Sequence, residues 1–389
     1  MSPVQTSAAA DPMRIAVISH IRHPIRAPFQ GGLEAHSWHL TRALQARGHD
    51  VTLFASGDSD PDLPLHPIVG RHYDQDFPWH HNHGTEALTR HVDAAHRQTM
   101  RDILDGGYDV VHQNGMHRYP ARLAREHRVP TLTSLHVPPF DALHRSILES
   151  DAPWSLFSTT SEKQRGSWWP DGAPYAARVV HNGIDTDAWA FSPEGGGGAA
   201  WSGRIMPNKG THFAVTAAQF MHVPLTIYGP IEDRPYFDRL IRPYLSKTIR
   251  YGGHLEGPEL AQALGGADVF VFTPMWDEPF GLAAVEAMAC GLPVASIDNG
   301  AAREVIGDAG TFARPNEPGA LGIAMKKAMR IDRAVPRARV EAMFTIDRMV
   351  DAYEALYREA RENVEADWPD VSFPKIELDV APPMLRAAE

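Results

Sequence analysis

The sequence has few of the features on which secreted and membrane-spanning proteins depend. Its 389 residues include one cysteine, Cys290, which excludes an internal disulfide framework and fits a reducing, cytoplasmic compartment. No apolar run approaches the roughly 18 residues that a transmembrane helix needs. Residues 1–12 lack the basic start and the apolar core of a signal peptide, and we interpret them as a flexible leader.

The sequence also lacks the marks of several nucleotide-binding and nucleic-acid-binding proteins. Its 37 Lys and Arg against 48 Asp and Glu give a net charge of −11, which argues against a protein built mainly to coat nucleic acid. Neither the dinucleotide pattern GxGxxG nor the P-loop pattern GxxxxGK[ST] occurs in the sequence. A nicotinamide-dependent dehydrogenase is therefore disfavoured.

What the chain does contain is a regular alternation of short apolar runs and longer helical patterns, from Arg14 to about Ala313. This alternation predicts parallel, doubly wound α/β sheets. Runs such as Val269–Phe272 are apolar throughout, which indicates strands buried on both faces. The predicted strands are Arg14–Ser19, Val51–Ser56, Asp109–Gln113, Thr131–His136, Ser155–Thr160, Ala177–His181, Ala200–Arg204, Leu225–Tyr228, Thr248–Tyr251, Asp268–Thr273 and Pro293–Ile297.

A flexible connection divides the sequence into two predicted domains. The segment His181–Trp201 contains the turn dipeptide Asn182-Gly183 and four consecutive glycines, Gly195–Gly198. We predict a first domain over residues 13–184 and a second over residues 185–345. A late helix, Asp347–Arg361, and a Pro-rich tail from Asp367 follow.

The stretch Asp277–Gly291 carries the strongest indication of a ligand site. It follows a predicted buried strand, and Glu278-Pro279 is predicted to open a helix that ends at Gly291. A strand-to-helix turn places free backbone N–H groups and the positive end of the helix dipole at the carboxyl edge of the sheet, where ligands of open α/β sheets bind. The amides expected to hold a phosphate or sugar hydroxyls are those of Phe280, Gly281, Leu282 and Ala283.

Two carboxylates bracket this turn, Glu278 and, 8 residues further on, Glu286. Because Glu286 lies one helical turn beyond Leu282, it shares a face with the first turn of the helix. A carboxylate that accepts hydrogen bonds from two adjacent hydroxyls is a common way to hold a ribose. The alternative is an ordinary helix with an acidic first turn.

A second stretch, Gly203–Gly210, places two cations between a predicted strand and the helix Thr211–Gln219. Arg204 ends the strand and Lys209 precedes the helix, so both side chains are expected at the carboxyl edge of the sheet. Two cations at that edge suit a diphosphate. The alternative is a pair of solvated surface charges.

A third stretch, Gly31-Gly32, lies between the first strand and the first helix, where adjacent glycines allow close approach of an anion. The alternative is a plain helix-entry turn. A cluster of histidines, His80, His81 and His83, suggests a metal site, but the acidic residues and cysteines that would complete one do not occur at a suitable spacing. We therefore interpret it as a polar loop and expect no metal in the chemistry.

Together these stretches resemble the retaining glycosyltransferases of family 4, which have the GT-B fold. The resemblance rests on Glu278-Pro279-Phe280-Gly281 with Glu286 for the E-x7-E motif, and on Gly203-Arg204 with Lys209-Gly210 for a GR-x4-KG motif. The glycine pair Gly31-Gly32, the hinge-like Asn182–Asp185 and a histidine that ends a strand of the first domain, His136, also match. The similarity runs from about Arg14 to Glu362.

The resemblance implies two Rossmann-like domains that face each other across a cleft, with a helix in residues 346–389 crossing back to the first domain. It implies that Arg204 and Lys209 bind the donor diphosphate, and that Glu286 binds the ribose. Glu278 and the following amides would contact the donor sugar. The remaining implied positions are Gly32 at the phosphate, His136 near the reacting carbon, and Gly229, His254 and Leu255 near the base.

The implied activity is transfer of a sugar from a nucleotide-diphosphate sugar, a UDP-sugar above all, to an unidentified hydroxyl acceptor with retained anomeric configuration. A nucleotide-sugar epimerase of the same fold and a catalytically silent nucleotide-sugar-binding protein stay open as alternatives. The base, the sugar, the acceptor and the oligomeric state leave no clear trace in the sequence.

Overall fold

The computed structural model describes residues 11–315 and 317–366. Most of the predicted leader and the whole predicted tail from Asp367 lie outside the described residues. The described chain forms two compact units, one of residues 11–159, 168–178 and 350–366, and one of residues 160–167 and 179–349. No helix within the described ranges is long and apolar enough to cross a membrane.

The first unit is built on a seven-stranded sheet in the order β3-β2-β1-β4-β5-β6-β7. The neighbouring pairs from β3 to β6 are all parallel, as predicted. The strands are β1 Arg14–Ile18, β2 Asp50–Ser56, β3 Leu65–Val69, β4 Val110–Gln113, β5 Thr131–Leu135, β6 Ser155–Thr159 and β7 Ala177–Val179. Its helices are α1 Gly32–Ala46, α2 Trp79–Asn82, α3 Glu86–Gly106, α4 Tyr119–His127 and α5 Asp141–Glu149. Helix α6 Glu162–Trp168 follows β6 in the chain, and all of it but Trp168 belongs to the second unit.

The second unit repeats this design with a six-stranded sheet in the order β10-β9-β8-β11-β12-β13, again parallel throughout. Its strands are β8 Ala199–Ser202, β9 Leu225–Tyr228, β10 Ile249–Tyr251, β11 Val269–Phe272, β12 Val294–Ile297 and β13 Gly310–Ala313. Its helices are α7 Thr211–Met221, α8 Arg234–Leu240, α9 Gly257–Gly265, α10 Leu282–Ala289, α11 Ala302–Ile306, α12 Pro318–Ala328 and α13 Ala334–Met343. The last helix, α14 Ile346–Glu365, begins in this unit and continues in the first.

Alternating side chains of the central strand β11 bury both faces of the second sheet. Phe270 and Phe272 belong to an apolar cluster with α9, α10, α11 and α13. Val269 and Val271 belong to a second cluster, on the other face, with α7, α8 and α12. The predicted doubly wound α/β fold is therefore confirmed, and the apolar run in β11 has the burial expected of a central parallel strand.

Two edge strands were not predicted, and each has a physical reason for being missed. Strand β3 contains Pro67, which lacks a donor for the sheet, so the pattern does not read as a strand. Its position at the edge makes proline tolerable there. Strand β13 is four residues long, begins with Gly310 and lies at an edge of the second sheet. The predicted strands otherwise match the observed ones within two residues.

Two arginines of the second unit hold the C-terminal end of α10, the helix that follows the E-x7-E turn. Arg333 Nη2 donates to Cys290 O at 3.3 Å, while its Nε and Nη1 donate to Ser192 O at 2.7 Å and Ala267 O at 2.6 Å. Arg337 Nη1 donates to Ala289 O at 3.1 Å. Cys290 O also accepts from the Ser192 amide at 3.1 Å, so the arginines add side-chain donors to carbonyls at a helix end and in loops.

We expect Arg333→Ala to lower the free energy of unfolding by about 1–3 kcal/mol, because several half-buried carbonyls lose their donor. The measurement is urea unfolding at neutral pH. Arg330→Ala is the control, since Arg330 is exposed and lies just past the end of α12. Equal unfolding midpoints for the two variants would contradict this account.

Candidate active site

The loops that follow β8 and β11 are joined at the carboxyl edge of the second sheet. The indole Nε1 of Trp201 donates to Thr273 Oγ1 at 2.9 Å, and Thr273 Oγ1 donates to the carbonyl of Lys209 at 2.8 Å. The amide of Met275 donates to the carbonyl of Asn208 at 2.8 Å. These bonds bring the Gly203–Gly210 stretch against the segment that leads into Glu278.

The result is a close ion pair between two residues that the sequence placed in separate motifs. Lys209 Nζ lies 2.6 Å from Glu278 Oε2, and the Glu278 side chain is 11% exposed. The indole Nε1 of Trp276 donates to the same oxygen at 2.8 Å. The sequence did not single out Trp276, although its position two residues before Glu278 places it in the same turn.

The second predicted cation, Arg204, is also paired with a carboxylate. Its Nη1 lies 3.3 Å from Oε1 and 3.0 Å from Oε2 of Glu232. Glu232 lies in the loop after β9 and was missed, because no motif marks it. Within the described residues the Nε and Nη2 groups of Arg204 have no protein partner, so they are available to an anion.

Helix α10 begins later than predicted. Glu278-Pro279 does not open the helix; these residues form a turn, and the first helical residue is Leu282. Gly281, with φ +98°, precedes it, and a Cβ at this position would lie 2.7 Å from the ring of Phe272. The left-handed conformation and this close approach both require glycine. The amides of Leu282 and Ala283 start the helix and have no partner within it.

The turn before α10 is fixed from several sides. The carbonyl of Pro279 accepts from Ser161 Oγ at 2.7 Å and from Thr160 Oγ1 at 3.1 Å. The carbonyl of Glu278 accepts from the Ala301 amide at 2.9 Å. Ser161 Oγ also accepts from the amide of Gln164 at 3.1 Å, so it caps the start of α6. Its bond to the turn was not predicted, because it joins residues 118 apart in the sequence.

The side chain of Phe280 does not face a ligand. It is 3% exposed and packs in the core of the second unit, with its ring 5.5 Å from that of Phe344. Any contact of Phe280 with a ligand would therefore come from its backbone amide.

Glu286 lies on α10, half-buried beside the apolar core of the second unit. Burial raises the pKa of its carboxyl group to about 7. Within the described residues it has neither a hydrogen-bond donor nor a cation as a partner. A desolvated carboxylate without a partner is able to accept hydrogen bonds from ligand hydroxyls.

The positions predicted near the base lie at the same edge of the sheet. The amide of Gly203 donates to the carbonyl of Tyr228 at 3.1 Å, and the amide of Gly229 donates to the carbonyl of Gly253 at 2.9 Å. Leu255 packs against the same apolar core as Leu282. His254 is turned toward Glu256, with 3.0 Å between Nε2 and Oε1.

The glycine pair of the first unit lies at the start of α1. Gly31 precedes the helix with extended backbone, and Gly32 is its first residue. The carboxylate of Glu34 lies near this end, 3.2 Å from Nε2 of His20. Despite burial, the hydrogen bond and charge of His20, together with a backbone donor, hold the pKa of Glu34 at about 2. A negative charge is therefore already present at this helix end.

His136 follows β5 and lies among neutral polar side chains of the first unit. Its Nε2 is 3.2 Å from Asn114 Oδ1, and its ring centroid is 4.3 Å from that of His36. Burial lowers the pKa of His136 to about 4, and it lowers the pKa of His36 well below its usual value. Both imidazoles are therefore neutral at pH 7 and offer hydrogen bonds without charge.

The histidines of the Pro78–His83 segment lie in a short helix and at its end. His80 and His81 lie in the one-turn helix α2. In the part of the chain that the structure describes, no three His, Cys, Asp or Glu side chains are grouped so as to hold a metal ion.

Two family descriptions match most of the chain. Residues 30–188 match Glycosyltransferase Family 4, and residues 193–341 match Glycosyl transferases group 1. The chain belongs to glycosyltransferase family 4. It is a glycosyltransferase.

Curated relatives of this family-4 enzyme span nearly its whole length. It is 26% identical to glycogen synthase of Mycobacterium tuberculosis over 85% of this chain and 89% of that protein. It is 25% identical to phosphatidyl-myo-inositol mannosyltransferase of Mycobacterium leprae over 82% of this chain and 88% of that protein. Two relatives with different names and near-equal identity do not select a substrate.

Solved structures show that the fold is that of known GT-B glycosyltransferases. Anabaena HepE in complex with UDP-glucose superposes with a TM-score of 0.65 at 17% identity, covering 91% of this chain and 99% of that one. AviGT4, which is involved in avilamycin A biosynthesis, superposes with a TM-score of 0.68 at 18% identity, covering 90% and 98%. The expected GT-B fold is therefore confirmed.

The raised pKa of Glu286 predicts how stability depends on pH. Between its usual value of 4.5 and about 7, the folded protein binds more protons than the unfolded chain, so the free energy of unfolding falls as the pH rises through this range. The Glu286→Gln variant has no carboxyl group at this position, so its free energy of unfolding does not fall with rising pH for this reason. We expect the variant to be more stable than the parent by up to roughly 3 kcal/mol above about pH 8, and to show no gain near pH 4.

Urea unfolding of both proteins across this pH range is the measurement. Glu259→Gln is the control, because Glu259 is exposed in the first turn of α9 and has no ion-pair partner among the described residues. Parallel stability curves for the parent and Glu286→Gln would show that Glu286 is ionised normally in the folded protein.

Proposed function

We propose that the protein transfers a sugar from a UDP-sugar to a hydroxyl acceptor with retention of anomeric configuration. The observation that supports this most directly is the Lys209–Glu278 pair at the turn into α10, with Arg204 at the same sheet edge. In this arrangement two cations, a carboxylate and free helix amides lie at the edge where ligands of parallel sheets bind. This is a suitable set of groups for one diphosphate and one sugar.

The leaving group determines what these cations do. Breaking a glycosyl–phosphate bond builds negative charge on the diphosphate and positive charge on the sugar. Arg204, Lys209 and the first-turn amides of α10 stabilise the charge on the diphosphate, and because they are fixed beforehand they need little reorganisation. In this proposal no metal ion is needed for that role.

Each of the remaining groups contacts a different part of the donor. Glu286 accepts from the ribose hydroxyls, for which its unpartnered carboxylate is suited. Glu278 Oε1 has no partner within the described residues and accepts from a hydroxyl of the donor sugar. Backbone at Gly229 and Leu255 holds the base.

Neither glutamate is proposed as a nucleophile. Glu278 Oε2 already accepts from Lys209 and Trp276, which lowers its capacity to attack a carbon atom. Glu286 is assigned to the ribose. The acceptor hydroxyl is therefore proposed to attack on the face that the diphosphate leaves, with a leaving phosphate oxygen taking its proton, so that configuration is retained.

The choice of a UDP-sugar is supported by the solved relatives. Anabaena HepE has been solved with UDP, with UDP and glucose, and with UDP-glucose. The test is a thermal-shift panel of UDP-, GDP-, ADP- and TDP-sugars, in which a UDP-sugar is expected to raise the melting temperature by several degrees. If only a GDP-, ADP- or TDP-sugar raised the melting temperature, that nucleotide sugar would replace the UDP-sugar as the proposed donor. If no nucleotide sugar raised it, the result would argue against the proposed function.

Arg204→Ala and Lys209→Ala should each lower kcat about a hundredfold, equivalent to roughly 3 kcal/mol of lost charge stabilisation. The measurement is initial-rate transfer with saturating donor once the panel has fixed it. Arg239→Ala, an exposed arginine of α8, is the matched control and should leave the rate unchanged. Near-normal turnover in both site variants would defeat the leaving-group model.

The anomeric configuration of the product, read by NMR, tests retention. An inverted product would overturn the stereochemical part of the proposal. Release of an isomerised sugar without any acceptor would favour the epimerase alternative instead.

A further inference from the structure

Trp276 makes two contacts with the ion pair at the donor site. Its indole Nε1 donates to Glu278 Oε2 at 2.8 Å, and Lys209 Nζ lies 5.2 Å from the centroid of its ring. Lys209 Nζ donates to the same Oε2 at 2.6 Å. The three side chains therefore form a closed set in which each one contacts the other two.

The backbone around Trp276 is fixed on both sides. The carbonyl of Trp276 accepts from the Glu278 amide at 2.7 Å, and the neighbouring Met275 amide donates to Asn208 at 2.8 Å. An indole has two side-chain torsions and one N–H donor, whereas Lys209 has a long, flexible stem. In this set Trp276 is thus the rigid member and Lys209 the movable one.

We infer that Trp276 is a positioning residue of the donor site, which keeps Glu278 hydrogen-bonded while Lys209 turns from Glu278 to the donor phosphate. This inference rests on the proposed function. Glu278 as a whole residue is 8% exposed, so its carboxylate is buried. If this carboxylate lost its last hydrogen-bond donor, the free-energy penalty would offset much of what Lys209 gains by contacting the phosphate. The indole N–H remains on Oε2, so Lys209 can move without leaving the carboxylate unpaired.

The same arrangement explains how one oxygen can serve two partners. Lys209 has three donors, and within the described residues only Glu278 accepts one of them. Two donors are left for phosphate oxygens. Because Trp276 and Lys209 share Oε2, Oε1 remains for the donor sugar. Trp276 acts through Glu278 and Lys209 and has no proposed contact with the reacting atoms.

The test is a double-mutant cycle on Trp276→Phe and Glu278→Gln, with the dissociation constants of UDP and UDP-glucose measured by calorimetry. Trp276→Phe keeps a ring face for Lys209 and removes only the N–H donor. It should weaken binding of both ligands about tenfold, the size expected for one hydrogen bond to a charged group. In the Glu278→Gln background, Trp276→Phe should change the dissociation constants less than about twofold.

Trp154→Phe is the matched control. The indole Nε1 of Trp154 donates to Ala124 O at 2.7 Å, and the Arg128 guanidinium lies 4.4 Å from its ring centroid. Trp154 directly precedes β6, so it lies at the amino ends of the strands of the seven-stranded sheet and not at their carboxyl ends. Trp154→Phe therefore loses the same kind of hydrogen bond away from the proposed site and should bind both ligands as the parent does. Trp276→Leu removes the ring face as well and should bind more weakly than Trp276→Phe.

The outcomes separate the inference from the function on which it rests. A parent protein that binds neither UDP nor UDP-glucose would overturn the UDP-sugar proposal and this inference with it. If the parent binds both ligands and the variants Trp276→Phe and Trp276→Leu bind them as tightly as the parent, only the role of Trp276 is overturned. The same loss in the parent and in the Glu278→Gln background would also overturn it, because a merely structural tryptophan gives additive effects.

Discussion

The candidate site depends on how one buried carboxylate is kept paired. Glu278 is nearly inaccessible, so its charge must have donors within the protein. Lys209 and Trp276 supply them, and they come from loops that follow different strands. The pairing therefore holds together the loops after β8 and β11. Lys209 and the turn that leads into α10 lie close together because this pair is formed.

Helix α10 is held at both ends. At its start, the Thr160 and Ser161 hydroxyls hold the carbonyl of Pro279, and at its end Arg333 and Arg337 hold its last carbonyls. The helix is only eight residues long and would not be stable by itself. Packing and side-chain hydrogen bonds fix it in place, which matters because charge stabilisation requires dipoles that do not have to move.

The two units offer different chemistry at their sheet edges. In the second unit, Arg204 and Lys209 are cationic and lie beside carboxylates. In the first unit, burial keeps His36 on α1 and His136 after β5 neutral, so these two imidazoles form hydrogen bonds without adding charge. This division follows from burial and could not be read from the histidine content alone.

The sequence by itself determined the doubly wound sheets and the motifs of the site, because hydrophobic periodicity and glycine positions are local properties of the chain. Only the tertiary structure decided that Glu278 pairs with Lys209, that Glu232 pairs with Arg204, that Ser161 holds the turn at Pro279, and that α10 begins at Leu282. Those contacts join residues far apart in the chain, and a helix end depends on which amides and carbonyls find other partners. Neither the long-range contacts nor the helix end can be predicted from a local sequence pattern.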